Sequence, residues 1–124
     1  MHPDLFVGLD VHKSSIVSVA KTLDGRVINR QRLSSSDAAL QEYLRSLPGD
    51  KHVALEAGCV WEHIYDAAAA VSATVTLVHP HKARLIAEAS LKTDKVDAEA
   101  LADLRRLNAV PTAFAPDTAT RELR

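Results

Sequence analysis

Three strand-like segments precede the first helical one, and this order restricts the fold more than any other feature of the chain. Leu5 to Asp10 is a continuous apolar run with a Phe and a Val, short enough for a buried strand. Ser15 to Thr22 sets Ile16, Val17, Val19 and Ala20 among polar neighbours. Leu23-Asp24-Gly25-Arg26 follows, and Asp-Gly between two strand patterns signals a two-residue hairpin. Val27 to Leu33 then returns as an alternating polar strand. Three strands joined by tight turns form an antiparallel meander, and the first, being the most apolar, is expected to be the central strand of the sheet.

After the meander, helical and strand patterns alternate. Ser34-Ser35-Ser36-Asp37 is an N-cap cluster, and the helix it opens puts Leu40, Tyr43, Leu44 and Leu47 on one stripe before Pro48-Gly49-Asp50 ends it. His52 to Glu56 reads as a strand, and about Val60 to Val71 as a helix carrying Trp61, Ile64, Tyr65 and Ala68. Thr74 to Val78 is a β-branched strand, followed from Pro80 to about Ala89 by a basic amphipathic helix. Ser90 to Thr93 is a short loop, and a last helix is expected from Asp94 to about Asn108, with Ala100, Leu101 and Leu104 inward. The order βββαβαβαα predicts an α/β domain with a mixed five-stranded sheet flanked by helices, which resembles the ribonuclease-H-like (RuvC-like) arrangement.

Four acids stand at the punctuation points of this pattern. Asp10 ends the first strand and Glu56 the fourth; Asp94 and Asp97 fall three apart where the last helix is expected to start. At that spacing the pair shares a helix face, in a first turn where the helix dipole favours acids. Taken singly, each has an ordinary role: a turn former, a helix entry, an N-cap. Taken together they point to chemistry, because the ribonuclease-H-like layout lays the first strand beside the fourth and packs the last helix across that edge. Four converging carboxylates repel one another unless a cation lies between them, and a divalent metal acting on a phosphodiester is the usual remedy. Mg²⁺ takes such oxygen ligands while keeping several waters, and Mn²⁺ is expected to substitute.

Bulk properties exclude more than they identify. The 124 residues are enough for one domain with a real core, and 47% hydrophobic with 25% charged content is ordinary for a globular domain. A formal net charge of −1 gives no overall attraction to a polyanion, so nucleic-acid contact requires local patches. Between His79 and Lys95 the cations Lys82, Arg84, Lys92 and Lys95 outnumber Glu88 and Asp94 by two; with Lys13 they are the candidate phosphate contacts, against the plainer reading of a solvated helix face. His12, His79 and His81 lack zinc-site spacing, and no Gly-x-Ser-x-Gly elbow supports a serine hydrolase. The single cysteine, Cys59, excludes an internal disulfide and fits a reducing cytoplasm. Neither a signal peptide nor a membrane-spanning stretch is present in the pattern.

Gly8-Leu9-Asp10-Val11-His12-Lys13, Ala54-Leu55-Glu56-Ala57-Gly58, His79-Pro80 and Lys92-Thr93-Asp94-Lys95-Val96-Asp97-Ala98 together resemble the DEDD transposases, the insertion-sequence family that includes the pilin-gene DNA invertases. The resemblance runs from about residue 5 to residue 110. It implies a RuvC-like domain over 1–110, in which Asp10, Glu56, Asp94 and Asp97 are the catalytic, Mg²⁺-binding tetrad that helps cut and rejoin DNA. It further implies a linker and helix start over 111–124, leading to a C-terminal domain outside this chain that supplies a nucleophilic serine. A structured guide RNA and assembly as a homodimer or tetramer are also implied. The alternatives are a stand-alone RuvC-like junction resolvase, and a non-catalytic nucleic-acid-binding assembly module in which the acids are only caps. An actin-like ATPase or sugar kinase shares the strand, Asp and hairpin opening, but Val11 to Ser15 lacks the glycine its phosphate loop requires.

Overall fold

The computed structural model describes residues 4–56, 61–71, 73–86, 88 and 96–108. Its elements follow the expected order: β1 (Leu5–Val11), β2 (Ser15–Lys21), β3 (Val27–Ser34), α1 (Asp37–Ser46), β4 (Lys51–Glu56), α2 (Trp61–Ala70), β5 (Thr74–Val78), α3 (Pro80–Ile86) and α4 (Ala98–Arg106). The sheet runs β3-β2-β1-β4-β5, so the most apolar strand is central, as its composition predicts. β2 and β3 pair antiparallel to form the meander, while β4 joins β1, and β5 joins β4, in parallel. A mixed α/β sheet of this order is consistent with the ribonuclease-H-like class.

The Asp24-Gly25 pair closes the β2–β3 hairpin, but not as a two-residue turn. Gly25 N–H donates to Thr22 O at 3.0 Å, Thr22 N–H donates to Arg26 O at 2.9 Å, and Gly25 has φ +92°. This is a three-residue loop whose left-handed third position suits glycine, with a register shift at Ala20/Lys21 absorbing the extra residue.

Alternation along the strands divides the sheet into two unlike faces. One presents Leu5, Val7, Leu9, Ile16, Val53 and Leu55 to α1 and α2, whose Leu40, Leu44 and Ile64 are fully buried against them. The α1 stripe matches expectation, and Ser36 caps the helix by accepting from Ala39 N–H at 3.1 Å. Inside this layer Ser18 Oγ donates to Tyr43 Oη at 2.6 Å, and Tyr43 Oη donates to Asn29 Oδ1 at 2.9 Å, so the buried hydroxyls are satisfied. Burial pushes the Tyr43 phenol above its usual pKa, keeping it a neutral donor.

The opposite face is smaller and carries the site. Phe6, Gly8 and Asp10 of β1 lie opposite Lys21, Val19 and Val17 of β2 in the antiparallel register, and residues so paired share a face. Helix α4 lies across it with Ala98, Ala100, Leu101, Ala102 and Leu104 buried, and Ala54, Val78 and Ala83 complete the cluster. The inward residues Ala100, Leu101 and Leu104 are those the periodicity selects.

Candidate active site

Asp10 and Glu56 end adjacent parallel strands whose last matched pair is Leu9 with Leu55, so the two acids follow side by side. Both are half-buried. Their proximity registers in the ionisation of Glu56, whose carboxyl is pushed above the ordinary carboxylate range by burial and then by the negative charge of Asp10; Arg84 pulls it back in part. Asp10 Oδ2 also lies 3.1 Å from His12 Nε2 at the mouth of the site, a contact the sequence reading passed over when it set His12 aside as a zinc ligand.

The last helix begins later than its sequence suggests. α4 starts at Ala98, and Asp97 is its N-cap, with extended backbone (φ −104°, ψ −174°) and Oδ1 accepting from Ala100 N–H at 2.9 Å. The expected shared helix face of Asp94 and Asp97 is therefore corrected, since Asp97 stands before the helix and not in its first turn. The cause is local: an Asp side chain satisfies an orphan helical N–H better from the cap position than from within the turn. Asp94 lies outside the described residues.

What brings Asp97 toward the strand acids is the close approach of α4 to β1. A Cβ built on Gly8 would meet Ala98 O at 1.9 Å and Ala102 N at 2.6 Å, so helix backbone rests on strand backbone. Asp97 immediately precedes Ala98, and Gly8 is two residues from Asp10 on the same face. The structure thus couples Asp10 to Glu56 and brings Asp97 to the same face. Among the described residues no three His, Cys, Asp or Glu side chains are close enough to hold a metal ion together.

The chemistry of the acids, though not a preformed cluster, is of the kind a hard divalent cation takes. The acids offer carboxylate oxygens, and the Glu56 carboxyl is raised first by its burial and then by the charge of Asp10, a repulsion that a cation would relieve. Replacing Glu56 with glutamine tests this without metal. The folded pKa of Glu56 lies above its unfolded value near 4.5. Its contribution to stability is therefore complete below that value and lost as pH rises through the folded pKa. Glu56→Gln is expected to stabilise the metal-free chain at pH 7, by at most about 1 kcal/mol after solvent screening, and to leave it unchanged near pH 4. Chemical denaturation at the two pH values measures this; a loss of stability at pH 7 would contradict it.

Of the candidate phosphate contacts, Lys13, Lys82 and Arg84 are exposed, whereas Lys92 and Lys95 lie outside the described residues. The Lys13 carbonyl accepts from Ser35 Oγ at 3.3 Å, tying the β1–β2 turn to the approach of α1. Arg84 is close enough to Glu56 to act on its ionisation, which places a cation at the edge of the acidic pair. No described helix is long and apolar enough to cross a membrane.

Comparison with known proteins identifies the family of the chain. No curated protein matches the chain. The family model of IS110-type DEDD transposases, described as a transposase, matches residues 7–124, which include every acid discussed above. The match spans nearly the whole sequence, and the chain belongs to the IS110-type DEDD transposase family.

Proposed function

We propose that this chain is the metal-binding catalytic domain of a transposase that cuts and rejoins DNA. Asp10, Glu56, Asp94 and Asp97 are the residues that would hold Mg²⁺ or Mn²⁺. The observation that carries the reading is the juxtaposition of Asp10 and Glu56 at the ends of the two central parallel strands, with the Glu56 carboxyl raised partly by the charge of Asp10. Such a metal, when bound, supplies Lewis-acid stabilisation of charge on a phosphodiester. Asp97 contributes from a fixed backbone, because its helix-capping bond holds its side chain in one orientation. Arg84, with Lys82, Lys13, Lys92 and Lys95, would hold the DNA backbone beside the acids.

Residues 1–110 form the catalytic domain in this proposal, and 111–124 lead to a domain carrying the nucleophilic serine; no serine of this chain is assigned that role. A structured RNA guides the choice of DNA, the assembled protein is a homodimer or tetramer, and it works in the cytoplasm. Strand cleavage by this domain joined to its serine-bearing domain, with Mg²⁺ and with Asp10→Asn as the variant, is the test. The proposal requires cleavage to depend on both the cation and Asp10. Undiminished cleavage by the variant would assign the domain to assembly instead.

A further inference from the structure

Among the described residues, Lys21 is the one cation whose side chain the fold encloses on the α4 face, only 6% exposed. Its Nζ lies 2.8 Å from Asp103 Oδ1 and 3.0 Å from Glu99 Oε2. These acids are four apart, on successive turns of α4, so one ammonium on β2 holds the helix at two heights. Each acid has a second cation: Arg30 of the edge strand lies 2.7 Å from Glu99, and Arg106 lies 2.8 Å from Asp103. Both helix acids are therefore occupied on two sides by cations of the fold.

This clamp acts where α4 has least freedom. The helix backbone rests directly on Gly8, leaving no side-chain layer to absorb a rotation or slide. Lys21 and Gly8 lie on the same face of adjacent strands, and Asp97 is joined to the clamped helix through its cap bond to Ala100 N–H. A buried ammonium also costs desolvation unless it is fully paired, so Lys21 accepts few alternative helix positions.

We propose that Lys21 is a positioning residue for the acidic site. By tying Glu99 and Asp103 to β2 it sets the rotation and axial register of α4, and hence the place of Asp97 relative to Asp10 and Glu56. The same clamp occupies Glu99 and Asp103, which keeps them from competing for a cation. The inference rests on the reading of Asp97 as a metal-holding acid.

The test titrates Mn²⁺ into the 124-residue chain and into Lys21→Met and Lys21→Arg, following paramagnetic broadening and the contacts of Gly8 Hα with Ala98 and Ala102 by NMR. In Lys21→Met the Gly8 contacts should weaken, broadening at Asp97 should fall behind that at Asp10, and the Mn²⁺ needed for half-broadening should rise about tenfold. Lys21→Arg, which keeps the charge, should recover most of this. A Lys21→Met chain that loses thermal stability yet binds Mn²⁺ within twofold of the parent would overturn the proposal and leave Lys21 a purely structural tie. Unfocused broadening in the parent itself would instead sink the metal reading, and the positioning role with it. Should Lys21→Met fail to fold, Glu99→Gln and Asp103→Asn each remove one tie and are read the same way.

Discussion

Replacing Gly8 with alanine is expected to destabilise the domain by about 3 kcal/mol, several times the usual cost of adding one methyl group to a strand. The added Cβ falls 1.9 Å from Ala98 O, 2.6 Å from Ala102 N and 2.9 Å from Ala98 C, all of them main-chain atoms. No side chain can turn aside to make room. Relief requires lifting α4 from the sheet, which opens the cluster of Ala54, Val78, Ala83, Leu101 and Leu104 and strains the two bonds from Lys21. Gly25 offers the contrast. Its φ of +92° disfavours alanine, but the nearest atoms belong to the flexible Arg106 side chain at 3.1 Å, so Gly25→Ala should cost only about 1 kcal/mol. Thermal melts of both variants check the order. Gly8→Ala is expected to lower the midpoint by roughly 10–20 °C, and a shift no larger than that of Gly25→Ala would contradict the close approach.

Asp10→Asn is expected to move stability and activity in opposite directions. Asparagine keeps the shape of the side chain and removes the charge that helps to raise the Glu56 carboxyl, so the metal-free fold should be as stable as the parent or slightly more so. If Asp10 holds the proposed cation, DNA cleavage by this domain joined to the proposed serine-bearing domain should fall by about a thousandfold or more, since a metal supplies several kcal/mol of transition-state charge stabilisation. An acid kept at a cost in stability is the mark of a functional site, whereas a turn-forming or capping Asp would lose stability on replacement. Cleavage rates and denaturation curves on the same variant decide between them. Loss of stability with retained cleavage would restore the ordinary role.

How much of this was legible in the sequence depended on periodicity. The apolar run Leu5 to Leu9 identified the central strand because only a strand buried on both faces is apolar throughout, and the stripe Leu40, Tyr43, Leu44 fixed the buried side of α1. Asp10 and Glu56 were readable as neighbours because the topology of alternating elements leaves few choices for the fourth strand. The start of α4 was misread by four residues, because Asp94 and Asp97 both satisfy the rules for a first turn and only the backbone decides which of two candidates is the cap. The Asp24-Gly25 hairpin was correctly located yet given too short a loop, since Asp-Gly serves both turn types.

Lys21 and Gly8 were missed, though each left a trace. A glycine inside an apolar strand signals close backbone approach, and a lysine in phase with Val17 and Val19 points toward the covered face. What the sequence could not reveal was the partner in each case. Glu99 and Asp103 lie more than seventy residues away, and the ion pairs exist only once α4 has docked.

The proposal that the strand-end acids and Asp97, which form no metal-holding group among the described residues, gather around one cation is tested most directly by a Mn²⁺ titration of the parent chain beside Asp97→Asn. The account predicts that broadening starts at residues 10, 56 and 97 at the lowest Mn²⁺ concentrations and weakens in the variant by about tenfold in the concentration required. Broadening scattered over surface acids, and identical in the two proteins, would contradict it.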